Sequence, residues 1–230
     1  IYSVKGRPLP FKEDGPLVLS TGRVSRQKGL DVLLDAVPLV AEEVRNVRFL
    51  LLLLPVRGGE ELMVKLAEKA SEYHEHVRVV YGLAPYIYYL AHLSANVFAA
   101  PSRWEPFGIM AVEALSVGLP VVASRVGGLT EIVVDLESNE KEGVGLLVPK
   151  EDPKALAKAL TSMILLTEPE LNGKKLSKIK PRLSTLVNSE FPSRLRERCI
   201  RRVDENFRWE ISARKFLKLY SEVMSLVKRA

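Results

Sequence analysis

Short apolar runs alternate with segments of helical periodicity along this chain, and the alternation limits the possible folds. The run 47–54 shows no polar alternation, which is typical of a strand covered on both faces. The segment 29–44 carries apolar residues at the i, i+3, i+4 spacing of an amphipathic helix. Further strands are predicted at 16–22, 77–82, 95–102, 119–124 and 143–149, with helical segments between them. The pattern predicts an α/β fold, a Rossmann-like doubly wound parallel sheet.

The positive charge of the chain is concentrated in one segment. The net charge is +6, and residues 172–202 alone hold ten Lys/Arg against two Asp/Glu. Such a segment can bind nucleic acid or an anionic membrane, or it can be a solvated helix face. Because no nucleic-acid recognition motif accompanies it, nucleic acid is not predicted as a partner. A membrane contact through residues 172–202 stays open.

The remaining composition indicates the compartment. The single cysteine, Cys199, excludes an intrachain disulfide and fits a reducing environment. The longest aliphatic run, 49–54, is too short to cross a bilayer, and we see no basic-then-apolar leader. We therefore expect a cytoplasmic protein. The histidines at 74, 76 and 92 lack the arrangement of a metal site, so no metal is predicted.

Two glutamates lie eight positions apart in an otherwise apolar segment. Glu105 precedes Pro106, and Glu113 interrupts the apolar run 109–115. If Pro106 opens a helix, the two backbones lie roughly 12 Å apart along its axis. Acid pairs that hydrolyse glycosides lie about 5 to 9.5 Å apart, so this spacing favours an extended ligand with hydroxyl groups at both ends. An acid at a helix start is also ordinary helix chemistry, and that interpretation of Glu105 stays open.

Neighbouring loops supply groups that suit an anion. The N–H groups of Phe107, Gly108 and Ile109 would be free at the helix start, and Arg23 and Lys28 follow the first long strand. Glycines that allow close approach of a backbone stand in the same loops: Gly22, Gly127 and Gly128. Each motif alone is also typical of a solvated turn. Together, at the carboxyl ends of parallel strands, they predict a site for sugar, phosphate and ribose in a row.

These motifs resemble the C-terminal, donor-binding half of retaining GT-B glycosyltransferases, in particular glycogen and starch synthases. The resemblance rests on GRVSRQKGLD, PSRWEPFGIMAVEAL, GLPVVASRVGGLTEIV and ENFRWEISARKFLKLY, and it covers most of residues 17–166 and 203–222. It implies transfer of glucose from ADP-glucose or UDP-glucose to an α-glucan with retention, without a cofactor, a metal or a protein nucleophile. Two alternatives stay open: a related GT-B transferase with a lipid or small-molecule acceptor, and a non-catalytic nucleotide-sugar-binding module.

The resemblance also implies a role for each motif residue. Arg23 and Lys28 would bind the diphosphate and stabilise the leaving group, and Glu105 would face the sugar; these three are the predicted catalytic residues. Glu113 would hold the ribose. The predicted donor-binding residues are Gly22, Phe107, Gly108, Ile109, Glu113, Gly127 and Gly128. Leu83 is the residue predicted for the base pocket.

Three features depart from the pattern of that family. The N-terminal half with its acceptor surface is not in this sequence, so we expect the chain alone to bind donor and to turn over little. The position after the strand at 77–82 reads LAPY, and the basic insertion at about 168–191 has no counterpart in the family pattern. We expect residues 1–205 to form the nucleotide-sugar-binding domain and a helix in 206–230 to pack toward the N-terminal half.

Overall fold

The computed structural model describes residues 3–4, 7–8, 14–82, 84–171, 179 and 181–227. Its strands are β1 (Ser3–Val4), β2 (Arg7–Pro8), β3 (Leu17–Arg23), β4 (Arg48–Leu54), β5 (Val77–Tyr81), β6 (Val97–Ala100), β7 (Val121–Ser124) and β8 (Gly145–Val148). Its helices are α1 (Leu30–Glu43), α2 (Glu60–Glu72), α3 (Pro85–Ser94), α4 (Ile109–Ser116), α5 (Leu129–Ile132), α6 (Pro153–Thr167), α7 (Phe191–Asn206) and α8 (Trp209–Val227). Strands and helices alternate from β3 to α6, as the sequence predicts.

Six strands form one parallel sheet in the order β5-β4-β3-β6-β7-β8. β1 and β2 form a separate antiparallel pair. Counted from β3, the order of the large sheet is 3-2-1-4-5-6, the order of doubly wound nucleotide-binding folds. The predicted fold class is therefore confirmed. The strand order reverses between β3 and β6, and in such sheets ligands bind in the crevice outside the carboxyl ends of the strands there.

Helices cover the sheet and bury its apolar side chains. α1 packs against α2 and α6, while α4 packs against α5 and α7. Phe49 of β4 and Phe98 of β6 are fully buried, and every residue of β6, β7 and β8 is buried. Burial of both sheet faces explains the unbroken aliphatic runs in the sequence. No helix in the described part of the chain is long and apolar enough to span a membrane.

The helix predicted from Pro106 is wrong in its start, because α4 begins only at Ile109. The residue before it, Gly108, has φ of 108° and ψ of 48°, a left-handed conformation that no helix contains. Glu105 therefore lies in a loop and not at the N-cap of the helix that carries Glu113. Proline is common at the first helical position, but here Pro106 belongs to the preceding bend.

The basic C-terminal part of the chain packs on the fold where it is described. Residues 172–178 and 180, in the predicted insertion, lie outside the described residues. Ile179 and Leu183 are buried in the core beside Phe191 and Cys199 of α7. Burial raises the pKa of the Cys199 thiol to about 12, so the thiol is protonated at neutral pH.

Candidate functional site

A cavity of about 650 Å³ opens at the carboxyl ends of β3 and β4, beside the loop after β6. Eight of the predicted site residues line it: Gly22, Arg23, Lys28, Glu105, Phe107, Gly108, Ile109 and Glu113. Gly127 and Gly128 are not among the lining residues, and Leu83 lies outside the described residues. The volume lies within the range of small-molecule sites, about 300 to 1,000 Å³. The fold thus gathers the charged motif residues from two loops and one helix around a single cavity.

Lys28 and Glu105 form an ion pair in the wall of this cavity. Lys28 Nζ donates to Glu105 Oε2 at 2.6 Å, and only 11% and 8% of the two side chains are exposed. Ser102 Oγ lies 3.5 Å from the same carboxylate oxygen. A Cβ atom at Gly22 would lie 3.3 Å from Lys28 Cε, so the glycine makes room for the lysine side chain. The other oxygen of Glu105 accepts no hydrogen bond from a described residue and is available to a ligand.

Two further groups of positive character line the cavity. Arg23 is exposed and forms no ion pair with any described residue. The backbone N–H groups of Phe107 to Met110 donate no hydrogen bond to a described residue, since α4 begins at Ile109 behind the left-handed Gly108. Free N–H groups at a helix start attract anions. Arg23 and these N–H groups are therefore suited to bind a phosphate or a sugar hydroxyl.

A carboxylate and a phenol in contact with each other also line the cavity. Tyr88 Oη donates to Glu113 Oε2 at 2.6 Å, and the Thr21 hydroxyl lies 3.3 Å from the Tyr88 oxygen. Burial raises the pKa of Tyr88, and the hydrogen bond to Glu113 raises it further, so the phenol stays a donor at neutral pH. Glu113 is thus held at one oxygen, and its other oxygen accepts no hydrogen bond from a described residue.

An apolar wall adjoins this carboxylate. Leu52 and Leu54 of β4, together with Pro85 and Tyr89 of α3, line the cavity. Tyr89 and Leu54 are exposed to 57% and 55%. Apolar side chains beside a hydroxyl-binding carboxylate provide a surface on which a flat ring can pack. None of the motifs identified in the sequence includes Tyr88, so its contact with Glu113 was not predicted.

The glycine pair supports the loop that carries Glu105. A Cβ atom at Gly127 would lie 2.1 Å from Glu105 O, and one at Gly128 would lie 2.3 Å from Phe107 O. The Gly128 N–H donates to Glu105 O at 2.9 Å. The pair therefore contacts the backbone of residues 105–107, and direct contact of Gly127 or Gly128 with a donor stays a prediction.

The basic segment uses part of its charge within the fold. Arg198 and Arg202 of α7 donate to the carbonyl oxygens of Glu140 and Glu131 at 2.6 Å each. Arg201 pairs with Glu142 at 3.0 Å. These arginines tie α7 to α5 and to the loop before β8, so they cannot all be counted as a free basic surface. Among the described residues there is no group of three or more His, Cys, Asp or Glu side chains that could hold a metal ion.

Comparison with known proteins agrees with this geometry. The model of the family "Glycosyl transferases group 1" matches residues 5–178. The chain belongs to this family. A glycogen synthase of Geotalea daltonii is 29% identical to this chain over 94% of the chain and 39% of the relative. The chain thus spans about two fifths of the length of such relatives.

The chain is also similar to two proteins that are not named as glycogen synthases. A phosphatidyl-myo-inositol mannosyltransferase of Mycobacterium leprae is 39% identical over 65% of the chain and 37% of the relative. The structure of a sucrose-phosphate synthase from Thermosynechococcus elongatus superposes with a TM-score of 0.63 at 30% identity, covering 95% of this chain and 47% of that one. The resemblance to GT-B glycosyltransferases is confirmed. The proteins to which the chain is similar include a glycogen synthase, a mannosyltransferase and a sucrose-phosphate synthase.

Proposed function

We propose that this chain is the donor-binding half of a retaining glycosyltransferase that transfers glucose from ADP-glucose or UDP-glucose to an α-glucan. One observation carries the proposal: the Lys28–Glu105 pair, Arg23 and the Glu113 carboxylate line a single cavity. Cations suit a diphosphate, and a fixed carboxylate suits the hydroxyl groups of a ribose. The similarity to glycogen synthases supports an α-glucan as acceptor.

In the proposed reaction, the bond between the sugar C1 and the diphosphate oxygen breaks. Lys28 and Arg23 stabilise the negative charge that develops on the leaving diphosphate. The oxygen of Glu105 that Lys28 does not bind accepts a hydrogen bond from a sugar hydroxyl. The acceptor hydroxyl forms the new bond to C1 on the face that the diphosphate leaves and gives its proton to the leaving diphosphate oxygen, so the configuration is retained. The acceptor surface belongs, in this proposal, to a second domain that faces the cavity.

Titration calorimetry tests the donor site directly. The chain is titrated with ADP, UDP and GDP, and then with ADP-glucose and UDP-glucose. We expect one diphosphate to bind and its glucose conjugate to bind more tightly. In Arg23→Ala we expect a loss of about tenfold for the diphosphate and a much smaller loss for the nucleoside, because the lost contact is charge-assisted. Equal losses for the two ligands would argue against a phosphate site at Arg23.

A transferase with a lipid or small-molecule acceptor is the second candidate. The 39% identity to a phosphatidyl-myo-inositol mannosyltransferase favours it. Preferential binding of GDP-mannose would contradict the glucosyl donor of the first candidate, whereas the acceptor is decided by whether label from the bound donor is transferred to glycogen or to a lipid. A non-catalytic module would bind the same donors. It is distinguished by incubating the intact protein with labelled donor and glycogen, since a module would transfer no label.

A further inference from the structure

Arg103 joins three loops at the carboxyl edge of the sheet. Its Nη1 and Nη2 atoms donate to Asp31 Oδ1 and Oδ2 at 2.9 and 2.8 Å. Its Nε donates to Glu151 Oε1 at 2.8 Å. Asp31 lies in the first turn of α1, and Glu151 lies between β8 and α6. A fork of donors bound to two carboxylates is the strongest geometry that an arginine ion pair adopts.

The backbone of the Arg103 loop also contacts the loop that carries Lys28. The Arg103 N–H donates to Gln27 O at 2.8 Å, and Arg103 Nη1 donates to Arg26 O at 2.8 Å. A Cβ atom at Gly29 would lie 2.0 Å from Pro101 O, so the two backbones touch. The 24–29 loop and the 101–108 loop are therefore held together at this junction.

The two charges of the cavity wall stand directly beside this junction. Lys28 follows Gln27 in the chain, and Glu105 comes two residues after Arg103. Arg103 does not line the cavity itself. The hydrogen bond from Arg103 lowers the pKa of Asp31, so their ion pair is fully formed at neutral pH.

Glu151, which binds Arg103, has an unusual backbone conformation. It has φ of 58°, and it is the one residue other than glycine with a positive φ in the described part of the chain. The left-handed conformation is unfavourable for such a residue and persists where surrounding contacts hold it. The contact on its side chain is the one to Arg103.

We propose that Arg103 is a positioning residue for the donor site, which holds the 24–29 loop against the 101–108 loop so that Lys28 and Glu105 meet the diphosphate and the sugar together. The inference rests on the proposed function for the identity of the ligand. A merely structural arginine would lower stability and weaken every ligand equally. A positioning arginine acts at the phosphate end and leaves the Glu113 end unchanged.

Hydrogen–deuterium exchange without ligand tests the placement. In Arg103→Ala we expect faster amide exchange in the 24–29 and 101–108 loops, with unchanged exchange in β4 and β7. Arg201→Ala is the matched control, because Arg201 also forms an ion pair, with Glu142 at 3.0 Å, and lies on α7. Unchanged loop exchange in Arg103→Ala, or equal acceleration in the whole domain, would overturn the proposal.

Calorimetry tests the consequence for the ligand. In Arg103→Ala we expect the affinity for the preferred nucleoside diphosphate to fall about tenfold, while the affinity for its nucleoside stays within about twofold. Arg103→Lys keeps the charge without the fork and should give an intermediate loss. Equal losses for both ligands would contradict positioning. If the wild-type chain binds neither ligand, the proposed function fails, and the exchange experiment still decides the role of Arg103.

Discussion

Single residues of the cavity wall serve stability and ligand binding at once, and Lys28 illustrates the conflict. Lys28 and Glu105 are exposed to only 9% and 6%, so each charge depends on the other for compensation. Removing either partner leaves the other charge buried, unpaired and with little access to water. A loss of donor binding in a single variant therefore does not by itself identify a ligand contact.

A double variant separates the two effects. We expect Lys28→Met to lower the free energy of unfolding by about 3 kcal/mol, because it leaves the Glu105 carboxylate buried and unpaired. Lys28→Met combined with Glu105→Gln removes both charges and should recover most of that loss without recovering diphosphate affinity. Urea denaturation gives the free energies. Arg23→Ala is the control, since Arg23 is exposed and should change stability by less than about 0.5 kcal/mol. Additive losses in the double variant would show that the pair is not coupled.

Tyr88 allows a test of the role of Glu113 in ligand binding. Tyr88→Phe removes the hydroxyl that donates to Glu113 and keeps the ring. We expect the affinity for the preferred nucleoside diphosphate to fall about three- to tenfold, the usual effect of one hydrogen bond, because Glu113 loses its orientation. The 2′,3′-dideoxy analogue of that nucleoside diphosphate should lose less affinity, so the preference of the protein for the ribose form should decrease.

The matched control for this prediction is Tyr86→Phe. Tyr86 lies on the same helix, is 66% exposed and does not line the cavity. We expect it to leave both affinities unchanged. An unchanged ribose preference in Tyr88→Phe would remove the role assigned to the Tyr88–Glu113 contact.

At the scale of elements, the loops around the cavity depend on glycines that bring backbones into contact. Gly127 has φ of 44°, and a Cβ atom there would lie 2.1 Å from Glu105 O. Gly58 has φ of 80°, and a Cβ atom there meets no atom within 4 Å. Both positions are left-handed, so the pair separates backbone conformation from steric contact.

Alanine at these two glycines should therefore have different effects. We expect Gly58→Ala to lower the free energy of unfolding by about 1 kcal/mol, the cost of a left-handed alanine. Gly127→Ala adds a clash with the Glu105 carbonyl and should lose about 3 kcal/mol or more, together with diphosphate affinity. Thermal and urea denaturation measure the difference. Equal losses at the two positions would mean that the loop after β7 yields without disturbing the 105–107 backbone.

The elements were predictable from the sequence because each carries its own periodic signal. The strands β3 to β8 and the helix α6 follow apolar runs that local patterning determines. The start of α4 was not predictable in this way, because it depends on Gly108, whose missing side chain leaves room for Leu129 and Ile132. Both belong to a different helix, α5, which follows α4 and β7 in the chain. Boundaries set by a distant partner have no local signal.

The site was predictable only for residues within recognisable motifs. Lys28, Glu105 and Glu113 lie in the two motifs that carry the resemblance, and the fold gathers them at one cavity. Arg103 lies in the same motif as Glu105, but its partner Asp31 is 72 positions away. Tyr88 lies in a helix whose composition predicts packing. Such contacts depend on which strands are neighbours, and a single sequence does not contain that information.

At the scale of the whole molecule, α8 stands apart from the core. None of residues 209–225, the part of α8 whose burial is described, belongs to the buried core, and Trp209, Phe216 and Tyr220 are exposed to 85%, 59% and 63%. Phe207, in the turn before α8, packs at a ring distance of 6.1 Å on Phe107, which lines the cavity. A large exposed apolar face on a helix indicates an interaction surface. That α8 packs toward an N-terminal half remains a prediction.

Deletion of α8 tests whether it belongs to this domain. We expect a chain that ends after Arg208 to keep its melting temperature within about 3 °C, because none of residues 209–225 belongs to the core and Phe207 is retained. Its tendency to self-associate should decrease, since the exposed apolar face is gone. Differential scanning calorimetry and light scattering measure the two quantities. Phe216→Ser with Tyr220→Ser, in the full chain, is the control that keeps the helix and weakens its apolar face. If the deletion lowers the melting temperature by about 10 °C and the double variant does not, α8 stabilises this domain and is not free to dock on another.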